Sequence, residues 1–152
     1  MYSSIAWIQL LSAFSFLLTQ TTCVFAYDWA AKQGFFQANG EELGGDVMVQ
    51  NGRAYGASDT ILYIPLLFSS AFGIFFRKRW SLICTAASAG ISSYWSATSY
   101  FLLLFASRQV EDFSYEPDVA TWILIAFYFL YGIQVLTFLY HYSDTLNRVM
   151  ND

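Results

Sequence analysis

The chain of 152 residues is 57% apolar and only 12% Asp, Glu, Lys and Arg, against about 45–50% and about 25% in an ordinary soluble domain. Seven Lys and Arg and a net charge of -4 leave no basic surface for phosphates, and 20% aromatic residues exclude a solvated low-complexity tail. These numbers describe an integral membrane protein, with membrane lipids as its surroundings and no nucleic acid as partner.

A helix that crosses about 30 Å of hydrocarbon needs about 20 mainly apolar residues. Four runs contain no charged residue: 4–26, 60–76, 80–106 and 119–142. The strict alternation of a membrane β-strand is absent from all four. The expected fold is all-α, an antiparallel four-helix transmembrane bundle forming one domain over residues 1–152, with a small extracytoplasmic hairpin loop between helices 1 and 2.

The first span, 4–26, ends in Val24-Phe25-Ala26, which resembles a small-residue cleavage site, but no basic segment precedes the apolar run. A retained span is therefore expected. Ser12, Ser15, Thr19 and Thr22 fall within about 80° of helical arc on it.

Residues 27–59 form the expected outer loop. Trp29 to Gln37 reads as an interfacial segment, with Trp29, Phe35 and Phe36 dipping into lipid. Asn51-Gly52 between short β-prone runs is the signal for a type I′ hairpin. Glu41, Glu42 and Asp46 carry the loop's acidity, but calcium-loop spacing is missing and no metal site is expected.

Ser58 and Asp59 are placed as caps of the second span, 60–76, with Pro65 in its first turns, where a missing N–H costs least. On that reading no acid lies inside the membrane, which argues against a proton relay or cation pump. Arg77, Lys78 and Arg79 fill the turn to the third span. Basic residues beside spans stay cytoplasmic, so both termini are expected inside, with a bacterial inner membrane or its equivalent as host.

The third span, 80–106, carries Ser81, Thr85, Ser88, Ser92, Ser96 and Ser99 within about 80° of arc, a hydroxyl stripe from end to end. Beside it Ala86, Gly90, Ser93 and Ala97 make a strip of small residues suited to close helix approach. On the fourth span, 119–142, Pro117 and Asp118 supply a first-turn proline and an acid that suits the helix dipole. Gln134, Thr137 and His141 share about 60° of arc there, with Tyr131 at its edge.

These stripes are expected to face the bundle interior. Ser88, Gly90, Ser92, Ser96, Tyr131 and Gln134 then either pack helices together or line a cavity, with Tyr94, Trp95 and Tyr128 as aromatic walls. Cys23 and Cys84 lie at opposite ends of their spans, too far apart for a disulfide. One histidine and no intramembrane lysine leave no haem or Schiff-base chemistry, and no phosphate loop or Ser-His-Asp set is present. No catalytic residue and no cofactor is expected.

Four spans with inside termini, a short basic turn between spans two and three, and a proline in span two resemble the layout of EXPERA-domain proteins. That group contains the emopamil-binding sterol isomerases and sigma-2-type receptors. The resemblance covers most of the chain and implies a sterol- or lipophile-binding bundle, but the ionisable interior of those isomerases has no counterpart in the charge-free runs. Claudin-like tetraspans share the span order but not the Trp and paired-Cys signature of the first outer loop. The leading expectation is a non-enzymatic component that packs with itself or with a membrane-protein partner. The alternatives are a lipophile-binding protein and an oligomeric pore or carrier lined by the stripe of the third span.

The basic turn makes a direct prediction. A reporter fused after Asp152 should be active only in the cytoplasm, and activity on the opposite side would invert the orientation.

Overall fold

The computed structural model describes residues 2–33, 46–111 and 113–149. Its helices are α1 (Tyr2–Phe25), the short α2 (Tyr27–Lys32), α3 (Asp46–Ser58), a π-helical turn (Asp59–Tyr63), α4 (Ile64–Phe75), α5 (Trp80–Gln109) and α6 (Val119–Val149). Three stretches are long and apolar enough to cross a membrane: Tyr2–Phe25, Val49–Phe75 and Val119–Leu146. At 30 residues α5 has ample length, but its Ser and Thr content keeps it out of that class.

A polar stripe runs through the interior among apolar side chains such as Ile5, Phe16 and Leu67, and the outer surface is apolar. Gln9, Ser12, Asp59, Ser70, Ser81, Thr85, Ser88, Ser92 and Ser96 are buried, whereas Trp7, Leu11, Phe14, Leu18, Ile123, Leu130 and Ile133 are exposed. Water would reverse that arrangement, because exposing apolar surface is costly there; lipid does not.

The helices alternate in direction, with α1 packed on α4, α4 on α5 and α5 on α6. The α4–α5 turn is closed by a Schellman pair, in which Lys78 N–H bonds Gly73 O at 2.8 Å and Arg77 N–H bonds Ile74 O at 3.1 Å. Arg77 takes the left-handed residue of that motif, with φ 55°. Asp118 caps α6, accepting the Thr121 N–H at 2.7 Å, and this bonding with Thr121 holds its carboxyl below the usual range.

The outer segment corrects the expected hairpin. Asn51 and Gly52 lie within α3, and the helix runs on through the π-helical turn into α4 without a break. The physical reason is packing. An isolated hairpin is marginal, whereas Gly56 lets α3 approach α1 closely. A Cβ on Gly56 would stand only 3.0 Å from Gln20 O. Asp46 opens this helix, where its charge suits the dipole. Glu41 and Glu42 lie outside the described residues, as does most of the expected interfacial segment beyond α2.

Ser58 and Asp59 therefore cap nothing. Ser58 Oγ bonds back to Ala54 O at 3.0 Å, and Asp59 is buried inside the continuous helix. Pro65 explains the π-helical turn before it: its ring would collide with the carbonyl four residues earlier and it offers no N–H, so the preceding turn widens.

The close contact of α5 with α6 runs through Gly132, where a Cβ would lie 2.2 Å from Ser93 Oγ and 2.4 Å from Ala89 O. At Gly90, which was expected in the tight strip, nothing stands within 4 Å of an added Cβ. Gly132→Val should lower thermal stability by about 1–3 kcal/mol or more, while Gly90→Ala should be neutral or slightly stabilising. Unfolding midpoints in mild detergent check both; equal effects at the two glycines would contradict the contact.

Candidate functional site: a hydrogen-bonded polar core

Helices α1 and α5 meet across the interior at intervals of seven residues. Tyr2 OH lies 3.3 Å from Ser81 Oγ, Gln9 Nε2 donates to Ser88 Oγ at 2.9 Å, and the Phe16 and Trp95 rings are 6.2 Å apart. The two helices are thus parallel and in step, with one contact every two turns.

Hydroxyl bookkeeping then gives the network a direction. A serine or threonine has one hydrogen to give. Thr85 donates to Ser81 O at 2.6 Å, Ser88 to Thr85 O at 3.1 Å, Ser92 to Ser88 O at 2.9 Å and Ser96 to Ser92 O at 2.9 Å. With those hydrogens committed along α5, the stripe meets its neighbours as an acceptor. Ser70 of α4 therefore donates to Thr85 Oγ1 at 2.5 Å, and Tyr63 donates to Ser92 Oγ at 2.7 Å.

An aromatic cluster caps this ladder. The Phe16 ring lies 5.3 Å from Tyr63 and 5.5 Å from Tyr128, and Trp95 lies 6.2 Å from Tyr128. Tyr128 reaches from α6 to α1 and donates to Ser12 Oγ at 2.9 Å. Tyr131 turns toward Gln9, but its hydroxyl and the Gln9 Oε1 are both buried without closing a hydrogen bond of ordinary geometry.

Of the expected site residues, Ser88, Ser92, Ser96 and Tyr131 are buried in this core and Gly90 is half-buried at its margin. Gln134 departs from expectation: with Thr137 and His141 it is exposed. The buried face of α6 instead carries Ile125, Tyr128, Gly132, Val135, Leu139 and Leu146. That seam of three- and four-residue spacings presents large rings and aliphatics inward, and Gln134 falls outside it, on the rim of a 120 Å³ cleft lined by Ser4, Ile5 and Ile8 of α1 and by Tyr131 and Val135 of α6. Tyr94 is also exposed, leaving Trp95, Tyr128 and Tyr131 as the inward aromatics. Ser81, Thr85, Ser88, Ser92 and Ser96 are buried within the chain's own bundle.

The sequence reading passed over Gln9 and Tyr63 and placed Asp59 as a cap of the second span. Gln9 shares a face with Ser12 and Phe16, a spacing that could have marked it. Asp59 was hidden because a charge-free run begins at Thr60; the Gly52 and Gly56 pair upstream is the signal that the helix starts earlier.

The chain matches no family model, and no curated protein or solved structure is similar to it. No match therefore adds support to the EXPERA-like layout.

Further lateral clefts flank the core. One of 410 Å³ lies between α5 and α6 and is lined by Ala97, Tyr100, Phe101, Trp122, Ile125 and Phe129, among others. A smaller one of 190 Å³ lies between α1, α3 and α5, lined by Gln20, Gly52, Tyr55, Trp95, Thr98, Ser99 and Leu102. Cys23 and Cys84 are both free. Among the described residues no three acids, histidines or cysteines are grouped to hold a metal. His141 is exposed on α6, apart from the buried hydroxyls, so the core pairs no serine with an imidazole base. The geometry orients the hydroxyls of the ladder and gives each of Thr85, Ser88, Ser92 and Ser96 an acceptor.

The direction of the bonds is testable. Tyr63→Phe removes a donor but leaves Ser92 bonded to Ser88 O, so it should cost only about 0.6 kcal/mol. Ser92→Ala strands the buried Tyr63 hydroxyl and should cost about 1–3 kcal/mol. Thermal unfolding of both variants reads the order, and a larger loss for Tyr63→Phe would reverse the assigned donor.

Proposed function

We propose that this is a non-enzymatic, four-span membrane protein that works by association within the bilayer, first with a second copy of itself. Helix α5 completes the fourth crossing in this reading. The three-residue turn 77–79 ties its start to the end of α4, and its partnered hydroxyls do not oppose insertion.

The observation that carries the proposal is Gln134. It stands near the middle of the apolar stretch Val119–Leu146 and is exposed. It sits on the rim of the cleft between α1 and α6 beside Ser4, Ile5 and Ile8, closes no hydrogen bond with them, and polar side chains on exposed membrane-helix surfaces mark helix contacts. Around it Phe127, Leu130, Thr137 and His141 are exposed too, and their spacing of three and four residues makes a second seam on the outward face of α6.

Copies in one membrane share one orientation, so a two-fold pair brings α6 against its own equivalent in parallel. Each residue on the axis then meets itself. An amide suits that position, because it both donates and accepts.

A second reading has its own observation. The 410 Å³ cleft between α5 and α6, with its apolar and aromatic lining, has the size of a lipophile site. Retained lipid in a monomeric preparation would favour it.

Gln134→Leu should weaken dimerisation by about 0.6–2 kcal/mol. Energy transfer between labelled copies in liposomes, diluted with lipid, measures this. A wild-type chain that stays monomeric at every lipid ratio would discard the association reading.

A further inference from the structure

The 410 Å³ cleft between α5 and α6 offers no hydrogen-bond donor at its floor. The hydroxyl there, on Ser96, has already given its hydrogen to Ser92 O at 2.9 Å, and Ala97, Ile125, Ala126 and Phe129 surround it with carbon. Toward the connection from α5 to α6 the cleft ends at Tyr100 and Trp122, whose ring centroids, 6.1 Å apart, put the two residues at one level. Its walls Phe101, Ala126 and Phe129 are exposed, so the slot opens sideways. Only hydrocarbon suits such a space at that depth.

Arg108 stands above the slot on the same face of α5. It follows Phe101 by two turns of one continuous helix, about 10 Å along the axis and within about 20° around it. Helical Cα–Cβ bonds tilt toward the start of the helix, so the Arg108 side chain leaves the backbone in the direction of the slot. Arg108 is exposed, and among the described residues its side chain closes no ion pair or hydrogen bond. The spacing matches a lipid leaflet, in which about 15 Å of hydrocarbon lies beneath about 5–7 Å of headgroup. With Arg108 at phosphate level, Phe101 falls about 10 Å and Ala97 about 16 Å below it, within the chains of one leaflet.

The same end of the cleft carries negative charge. Residues 110–118 join the end of α5 to the start of α6 and bring Glu111, Glu116 and Asp118, all exposed. Asp118 stands one turn above Trp122 and holds the Thr121 N–H with one of its oxygens. Glu111 and Glu116 close no ion pair among the described residues. An occupant of the slot therefore meets one guanidinium on the α5 side and carboxylates on the connection.

We propose that the cleft holds an acyl chain of a zwitterionic glycerophospholipid, with the phosphate on Arg108 and the ammonium among Glu111, Glu116 and Asp118. The charge pattern selects the class. A neutral lipophile would leave Arg108 without a counter-charge, and an anionic lipid would set its net negative charge beside the carboxylates; a phosphate and an ammonium on one headgroup answer both. The proposal rests on the second reading above, the cleft as a lipophile site, and names its occupant. It stands apart from self-association, because the slot's residues on α6 are centred about 110° around the helix from the seam of Gln134.

The test titrates the full chain, purified in mild detergent, with lipids that carry the same oleoyl chains: phosphatidylethanolamine, phosphatidylglycerol and diacylglycerol. The wild-type unfolding midpoint should rise with the mole fraction of each, and half-saturation by phosphatidylethanolamine should come about tenfold earlier than by diacylglycerol. Arg108→Gln should remove that tenfold advantage. Ala126→Trp, which fills the slot, should abolish the response to every lipid while energy transfer between labelled copies is unchanged; if it does not fold, Ala97→Leu takes its place. A wild-type midpoint indifferent to all three lipids would overturn the site together with the lipophile reading, as would a response that survives the filled slot. Equal half-saturation by phosphatidylethanolamine and diacylglycerol, or no change in Arg108→Gln, would overturn the headgroup assignment and leave the lipophile reading standing. Earlier saturation by phosphatidylglycerol would overturn the zwitterion in favour of an anionic lipid.

Discussion

The interior rests on one arrangement: each hydroxyl of the α5 ladder gives its hydrogen to a carbonyl of its own helix and keeps its lone pairs for other helices. That fixes what every neighbour must bring. α1 brings an amide N–H at Gln9, α4 a hydroxyl at Ser70, and the π-helical turn a phenol at Tyr63. A neighbour offering only a carbonyl would find no donor there, so the ladder selects partners by polarity as well as by size.

The same logic accounts for the positions of the large rings. Above the contact at Ser92, Trp95 stands at the edge of the stripe beside Ser96, and Phe16 of α1 takes the next seven-residue step after Gln9. Polar contacts therefore hold the half of the bundle near the basic turn, and aromatic ones hold the middle. Tyr128 belongs to both, its ring packed at a tilt against Phe16 while its hydroxyl reaches Ser12.

Much of this was legible from periodicity. The all-α fold, the membrane class and the stripe of α5 follow from composition and from arcs of about 80°. What failed were inferences that needed a partner's position. Gln9 and Gln134 are the same residue on membrane-type helices, yet one is buried against Ser88 and the other is exposed. The arc of a helix says which residues share a face; it does not say which face turns inward when both carry polar groups. On α6 the seam of Gly132 decides, because only there can the backbone come within reach of Ala89 and Ser93. Asn51-Gly52 failed for a related reason. A local turn signal presumes strands on both sides, and a long apolar helix immediately downstream offers the backbone a better set of hydrogen bonds.

The least apolar helix is thus the most central one, which looks costly for a chain that enters a membrane. The bonding pattern removes most of that cost. A serine bonded to the carbonyl four residues back has already left water as a donor, so α5 carries few free hydrogens into lipid even before it meets another helix. Association then adds acceptor contacts of about 0.6 kcal/mol each, too weak singly to drive assembly but spaced so that α1 and α5 fit only in one register. A shift of either helix by one residue would turn Gln9 away from Ser88 and leave a buried amide unpaired, at about 1–3 kcal/mol. The ladder's main contribution is therefore to the choice of register, and the wide stripe of hydroxyls is what makes the wrong registers expensive.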